Sequence, residues 1–196
     1  MKKVHFIWAH PRTNSLTAQI VGSMKTYAQE KNLIVSELDL YRSNFNPVMH
    51  EIDEPKWDDI NYQYTEEVIN LFESLRDVDT LFIVFPVWWY SFPAILKGYI
   101  DRVWTNGLAY GKGNRLPVNK MRWVALTGET AEAFEKKGNY EYMRHVMIES
   151  LSQYCGVEDV SVEFLYDTIG FEGQRDQEHY DALFLQANQV VDQVAN

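Results

Sequence analysis

Three loops of the sequence carry side chains that could bind and orient a reactive group. The first, AHPRTNSLT at residues 9–17, joins a short apolar run to the start of a helical pattern. Free N–H groups and the positive end of a helix dipole suit a phosphate there. Ser15 and Thr17 add hydroxyl donors. The loop contains no glycine, so it is neither a dinucleotide fingerprint nor a P-loop, and a plain capped helix start explains it equally well.

The second loop, FPVWWYSFP at residues 85–93, places three aromatic residues in a row at the carboxyl end of an apolar run. Side chains alternate between the two faces of a strand, so at least one of Trp88, Trp89 and Tyr90 should face solvent. Large aromatic side chains in a cleft can stack on a planar ring, and exposed backbone N–H groups can bond its polar edge. This loop therefore predicts a binding site for a flat ring.

The third loop, LTGET at residues 126–130, also follows an apolar run. Gly128 permits close approach of the backbone to a ligand, and the threonine hydroxyls can bond a ring edge or a ribityl chain. Taken alone, this loop is equally consistent with an ordinary turn.

Apolar runs and helical patterns alternate along the whole chain. Runs typical of buried parallel strands occupy residues 4–9, 33–40, 80–85, 123–126 and 160–165. Helical spacing of apolar residues occupies 16–27, 66–75, 93–103, 140–155 and 180–194, and residues 41–62 form a long excursion. The pattern predicts one α/β domain over residues 1–196, with a five-stranded parallel sheet and helices on both faces. In such sheets ligands bind beyond the carboxyl ends of the strands, where the three loops lie.

Composition limits the classes of partner and compartment. The net charge of −10 argues against a nucleic-acid partner and against an anionic membrane surface, because both favour a basic protein face. The single cysteine, Cys155, excludes an internal disulfide and fits a reducing cytosol. No stretch approaches the roughly 20 apolar residues of a membrane span. We therefore expect a soluble, cytoplasmic protein with no direct membrane insertion.

Three segments together resemble one protein family. FPVWWYSFPAILKGYIDRVWTNGLAYGKG at residues 85–113, AHPRTNSLT and YRSNFNPV are similar to segments of the flavodoxin-like NAD(P)H:quinone oxidoreductases. That family includes the ancillary proteins of bacterial potassium-efflux systems and the bacterial modulators of drug activity. The resemblance implies a flavodoxin-like fold, a bound flavin, and hydride transfer from NAD(P)H to a quinone or similar small aromatic acceptor.

The resemblance also implies roles for individual residues. The phosphate side of the flavin would be held by His10, Ser15, Leu16 and Thr17. The isoalloxazine would be lined, largely by backbone atoms, by Pro86, Val87, Trp88, Trp89 and Tyr90, and its polar edge would meet Thr127 and Gly128. Trp89 would set the stacking geometry, and Tyr110 would steer the substrate ring in a pocket completed by the second subunit of a homodimer.

The chain departs from the family pattern in two places. Leu126-Thr127-Gly128-Glu129 stands where the family commonly has Thr-Thr-Gly-Gly. Phe134 and Tyr140 stand where some members use a Tyr and a His to stabilise charge on the reduced flavin. Phenylalanine cannot donate a hydrogen bond, which leaves Tyr140 as the remaining catalytic candidate of that pair.

The identity of the cofactor and the class of function each have an alternative. Tyr62-Gln63-Tyr64 resembles a segment that touches the distal part of FAD in some members, so FAD is favoured over FMN. NADH and NADPH are not distinguished, because no arginine can be tied to a 2′-phosphate. A regulatory subunit of a potassium-efflux antiporter remains open, as does a flavodoxin-like electron carrier, although the aromatic triplet and the Tyr110 loop count against the carrier.

No metal site is expected from the sequence. The histidines outside the first loop show no spacing typical of metal ligands; they are His5, His50, His145 and His179. The acidic cluster of the long excursion is expected to be a solvated loop; it comprises Glu51, Asp53, Glu54, Asp58 and Asp59.

Overall fold

The computed structural model describes residues 1–57, 59, 62–169 and 176–195, so Asp58 of the acidic cluster lies outside the described residues. The strands are β1 (Lys3–Trp8), β2 (Ile34–Asp39), β3 (Val78–Pro86), β4 (Val118–Leu126) and β5 (Asp159–Leu165). The helices are α1 (Leu16–Glu30), α2 (Glu66–Glu73), α3 (Ala94–Val103), α4 (Ala131–Lys136), α5 (Asn139–His145) and α6 (Gln177–Ala195). A 3-10 turn at Glu51–Asp53 interrupts the long excursion.

The strands form one parallel sheet in the order β2-β1-β3-β4-β5. This is the flavodoxin-like order, whose switch point lies between β1 and β3. Val84 pairs with Trp8 on one side and with Val124 on the other, so β1, β3 and β4 end at the same edge. The loops that follow these strands are the three loops singled out in the sequence.

Helices cover both faces of the sheet, as predicted. On one face α1 and α6 pack with Ile20, Met24 and Val190 fully or almost fully buried. On the other face α3 contributes Leu96 and Tyr99 to a larger core. The flavodoxin-like α/β architecture with a five-stranded parallel sheet is therefore confirmed.

Two helical segments differ from the sequence prediction. The helix expected over residues 140–155 is α5 followed without a break by a π-helical segment, Val146–Gln153. The buried hydroxyl of Ser152 donates to the Met147 carbonyl at 2.6 Å and accepts from the Trp123 ring N–H at 3.0 Å. Helix α4 was not predicted, because six residues are too few for a period; its start is capped by Thr130, whose hydroxyl accepts from the Ala133 amide.

The long excursion is anchored to α3 by a buried ion pair. Arg102 donates to Asp53 at 2.7 Å and to Glu67 at 2.6 Å, and it also donates to the carbonyl of Asn46. The expectation that Asp53 is solvated is therefore wrong, because its side chain is fully buried. A local acidic pattern does not reveal this, since the partner arginine lies 49 residues further along the chain.

Candidate functional site

The second and third loops line one cavity at the carboxyl edge of the sheet. Its volume is about 260 Å³. The lining residues are Val87, Trp89, Tyr90, Thr127, Gly128, Glu129 and Ile169. Of the residues predicted to surround a flat ring, Val87, Trp89, Tyr90, Thr127 and Gly128 are thus brought together. Because β3 and β4 are adjacent and in register, the two loops meet without any contribution from a second domain.

A strained turn forms the outer wall of this cavity. Trp88 and Ser91 exchange two backbone hydrogen bonds of 3.1 Å, and between them Trp89 and Tyr90 have φ values of 53° and 54°. A bulky residue at positive φ costs of the order of 1–3 kcal/mol, and such strain is concentrated at functional sites. Among the described residues, no group accepts a hydrogen bond from the amides of Trp89 and Tyr90. The turn therefore presents two backbone donors and a Trp89 side chain that is 95% exposed.

The third loop is held by backbone hydrogen bonds and lies close to the side chain of Ile169. The Thr127 amide donates to Leu165 at 2.9 Å, and the Thr168 amide donates to the Thr127 carbonyl at 3.0 Å. A Cβ on Gly128 would lie 2.7 Å from Cδ1 of Ile169, so only glycine fits without displacing that side chain. The absence of a side chain at Gly128 thus keeps one wall of the cavity flat.

The first loop is shaped by an arginine from the end of β2. Arg42 donates to the carbonyls of His10 at 2.6 Å and Pro11 at 3.2 Å, and it also pairs with Asp39. The imidazole of His10 accepts from the Arg12 amide at 3.1 Å. Burial and then the charge of Arg12 lower the pKa of His10, so the positive charge of this loop comes from arginine and not from imidazole.

The four predicted phosphate-side residues lie on this loop and at the start of α1. Ser15 caps the helix by accepting from the Ala18 amide at 3.1 Å, and Ser15 and Thr17 are both buried. The ring of His10 meets Trp88 edge-on at 6.1 Å, which joins the first loop to the second. Leu16 lines a separate cleft of about 380 Å³ between α1 and α6.

Two predicted catalytic residues do not line the cavity. Tyr110 is half-buried and packs against Tyr154 and Trp57, with ring centroids 5.4 and 6.1 Å away. Tyr140 packs against Phe164 at 5.6 Å. Pro86 ends β3, and the amide of the following residue, Val87, donates to the carbonyl of Leu126 at 2.7 Å.

The structure adds residues to the site that sequence patterns did not select. The Tyr90 hydroxyl donates to Glu129 at 2.8 Å, and the ammonium of Lys137 reaches the Tyr90 oxygen at 3.3 Å and also pairs with Glu129. Glu129 was noted only as a departure from the family pattern. Lys137 directly follows α4, a helix without a periodic signature, and Ile169 reaches the cavity from beyond β5.

The part of the chain that the structure describes contains neither a metal-binding cluster nor a membrane-spanning helix. Within it, no cluster of three or more His, Cys, Asp or Glu side chains is arranged to hold a metal ion. None of its helices is both long and apolar enough to cross a bilayer.

Comparison with known proteins places this geometry in a family. The chain is 48% identical over 192 residues to YcaK, an uncharacterized NAD(P)H oxidoreductase of Escherichia coli (strain K12), covering 97% of each chain. It is 26% identical over 190 residues to NAD(P)H dehydrogenase [quinone] 1 of Rattus norvegicus, covering 85% of this chain and 69% of the relative. The structure matches the NAD(P)H:quinone oxidoreductase from Methanothermobacter marburgensis with a TM-score of 0.91 and 27% identity, over 100% of this chain and 98% of the other.

These similarities agree with the resemblance carried by residues 85–113 and by the first loop. The family model described as a flavodoxin-like fold matches residues 2–190, nearly the whole chain. The observed strand order and the cavity at the switch-point edge are what that fold requires. The chain belongs to the flavodoxin-like fold family.

Proposed function

We propose that the protein is a flavin-dependent NAD(P)H:quinone oxidoreductase. The observation that carries this proposal is the cavity between the turn at Trp89 and Tyr90 and the loop at Thr127 and Gly128. It combines an exposed aromatic side chain, unpaired backbone donors and a flat glycine wall at the edge where this fold binds ligands. The named activities of the similar proteins support the same reaction.

The residues present fit an isoalloxazine ring. The amides of Trp89 and Tyr90 can bond the polar atoms of the ring, and Gly128 allows the ring to approach the backbone. The first loop offers the start of α1, a 15-residue helix, with Arg12 and Arg42 nearby for a phosphate group. The ring and its phosphate side would therefore be held by different loops of the same sheet edge.

The protein's part in the reaction is to position the reactants. When bound, a flavin supplies two-electron chemistry, taking hydride from NAD(P)H and passing it to a quinone. Trp89 would hold nicotinamide and then quinone by stacking, because its indole extends from the cavity wall into solvent. The carboxyl edge of the rigid sheet fixes the positions of the loops.

We further propose that the flavin is FAD. The cleft of about 380 Å³ beside Leu16 adjoins the ring cavity, because Ile169 lines both. Arg12 and Tyr180 also line this cleft, and they offer a positive charge and an aromatic surface for an adenosine diphosphate moiety. FMN would fill the ring cavity and leave this cleft without a ligand.

A homodimer with shared active sites is the arrangement we propose for the Tyr110 surface. Trp57 and Tyr154, which pack against Tyr110, are 68% and 65% exposed, and exposed aromatic residues are enriched at interfaces. A further cavity of about 230 Å³ is lined by Tyr62 and by Asn106, whose backbone pairs with that of Tyr110. Because Tyr110 does not line the ring cavity of its own chain, it would act on the cavity of the second subunit.

Buried, unpaired Cys155 supports a cytoplasmic location.

The function is tested by steady-state kinetics on the reconstituted protein. Flavin is removed, FAD or FMN is restored, and oxidation of NADH and of NADPH is followed with and without a benzoquinone acceptor. We expect activity that requires flavin, NAD(P)H and quinone together. A protein that binds flavin but never oxidises NAD(P)H would instead behave as an electron carrier, and the proposed function would be wrong.

Gly128→Ala is expected to weaken FAD binding about tenfold. The new methyl group would lie less than 3 Å from the Ile169 side chain, as the 2.7 Å approach shows, and would push it into the ring cavity. Fluorescence titration of the apoprotein with FAD measures the change. The double variant Gly128→Ala/Ile169→Ala, in which the colliding atoms are removed, should recover most of the affinity. Equal affinity of Gly128→Ala and wild type would contradict the placement of the ring against Gly128.

Replacing Tyr154 with Arg is expected to shift the protein from dimer towards monomer. Sedimentation equilibrium of the wild type should give about 46 kDa, twice the 23.0 kDa of one chain. A charge placed at the centre of an aromatic interface is desolvated without a partner, so it should weaken association. Leu185→Arg is the matched control, because Leu185 is equally exposed but lies on α6, on the other face of the sheet. Dissociation by the Leu185 variant alone would place the interface elsewhere.

A further inference from the structure

Tyr90, Glu129 and Lys137 form a polar cluster that links the two walls of the ring cavity to α4. The Tyr90 hydroxyl donates to Oε1 of Glu129 at 2.8 Å. Lys137 donates to the Tyr90 oxygen at 3.3 Å, pairs with Glu129, and lies 5.8 Å from the centre of the Tyr90 ring. Each member of the cluster therefore contacts both of the others.

This cluster supplies the charge at the cavity wall. Every residue that lines the cavity is described by the structure, and among them only Glu129 is ionised at neutral pH. Behind Tyr90 lies the fully buried Phe134, at 6.2 Å, which has no polar atom. Oε2 of Glu129 is enclosed without a hydrogen-bond partner among the described residues. The Glu129 side chain is 23% exposed at the cavity wall, so its charge acts on any further charge that enters the cavity.

The protonation state of Glu129 is set mainly by Lys137. The hydrogen bond from Lys137 lowers the pKa of Glu129, against the opposing effect of burial, and the Tyr90 hydroxyl lowers it further. The carboxylate is therefore charged at neutral pH, and Lys137 is the cation that balances it.

The charges of Glu129 at the cavity wall and of Lys137 beside it affect how easily the cavity accepts a hydride. When NAD(P)H leaves as NAD(P)+, one proton and two electrons have entered the cavity, which is a net gain of one negative charge. A carboxylate at the wall opposes that gain and an ammonium beside it favours it. Lys137 is half-exposed and is screened by water and salt, whereas Glu129 is more enclosed.

On the basis of the proposed function, we infer that Glu129 and Lys137 tune the reduction potential of the bound flavin in opposite directions. Glu129 lowers the potential and Lys137 raises it. Tyr90 is a positioning residue, since its hydroxyl fixes the carboxylate against the cavity wall while its backbone forms the strained turn. The three residues thus act on the flavin through charge and placement.

The test measures the two-electron potential of the yellow protein against a reference dye at neutral pH. Glu129→Gln should raise the potential and Lys137→Met should lower it, each by at least a tenfold change in the reduced-to-oxidised ratio, which is about 30 mV. The matched controls are Glu132→Gln and Lys136→Met, which make the same charge changes at exposed positions of α4. Neither control should shift the ratio appreciably. In a Tyr90→Phe background, Glu129→Gln should raise the reduction potential by less than it does in the wild type.

The outcomes separate this inference from the proposed function. Opposite shifts confined to the Glu129 and Lys137 variants would support it. Yellow protein that is reduced by NADPH, but whose four variants share the wild-type potential, would overturn the inference and leave the function intact. If Lys137→Met loses flavin, the test is the comparison of Glu129→Gln with Glu132→Gln. A reduction potential that rises in Glu129→Gln but not in Glu132→Gln would support the inference. Equal potentials in these two variants would overturn it. Colourless wild-type protein would overturn both.

Discussion

Arg102→Met is expected to lower the free energy of unfolding by about 3–5 kcal/mol, the usual cost of removing one partner from a buried ion pair. Arg102 is 2% exposed and Asp53 is fully buried, so the substitution would leave a carboxylate without its cation in the core. The substitution also removes the hydrogen bonds from Arg102 to Glu67 and to the carbonyl of Asn46. The bond to Asn46 anchors the long excursion to α3. Urea denaturation followed by circular dichroism measures the change.

The loss of stability caused by Arg102→Met should become smaller as the pH falls. Burial alone would raise the pKa of Asp53, but hydrogen bonds from the Thr65 amide and from Arg102 outweigh it and hold that pKa below its ordinary value. A depressed folded-state pKa stabilises the protein above the unfolded-state pKa and loses that contribution as the pH falls through the folded-state value. The difference between wild type and Arg102→Met should therefore be largest near neutrality and should shrink in acid.

A control on the same helix distinguishes burial from charge. Lys97→Met also removes one positive charge from α3, but Lys97 pairs with Asp101 at the surface and should cost less than about 1 kcal/mol. Equal destabilisation by the two substitutions would mean that the Arg102 pair does not anchor the excursion.

Trp89→Ala is expected to reduce kcat/KM for quinone reduction about 10- to 100-fold while leaving the fold intact. Aromatic stacking of this kind is worth about 1–3 kcal/mol, and each 1.4 kcal/mol is a factor of ten in rate. Because the Trp89 side chain is 95% exposed, its removal creates no cavity in the core, and the midpoint of urea unfolding should stay near the wild-type value.

Two comparisons make the Trp89 result specific. Trp89→Phe keeps an aromatic ring at the same strained position and should restore most of the activity. Flavin content, read from absorbance, shows whether the loss arises from poor substrate stacking or from an empty site. Unchanged steady-state rates in Trp89→Ala would remove Trp89 from the site.

The sequence predicted the fold because the fold depends on local patterns that repeat. Buried parallel strands leave continuous apolar runs, such as Thr80 to Phe85, and the run lies within the observed β3. Loops at the carboxyl ends of such strands follow from the same pattern, so the sequence alone predicts that Val87, Trp89 and Gly128 lie together, and they line one cavity.

The features that the sequence missed depend on contacts between distant segments. Arg42 bonds carbonyls of the first loop because β2 lies beside β1, and no motif around Arg42 records that pairing. In the sequence, Asp53 is one of several neighbouring acidic residues, and nothing near it indicates that it pairs with Arg102 of α3. Lys137 reaches the site from the residue after α4, a helix too short to show a period.

The most direct test of the flavin site is the absorption spectrum of the freshly purified protein, followed by release and identification of its chromophore and by addition of NADPH. A yellow protein that releases FAD, bleaches with NADPH and regains its colour with a quinone is the result that the cavity at Trp89, Tyr90 and Gly128 predicts. A colourless protein that takes up neither FAD nor FMN would mean that the three loops serve a different ligand, and would contradict the proposed function while leaving the fold unaffected.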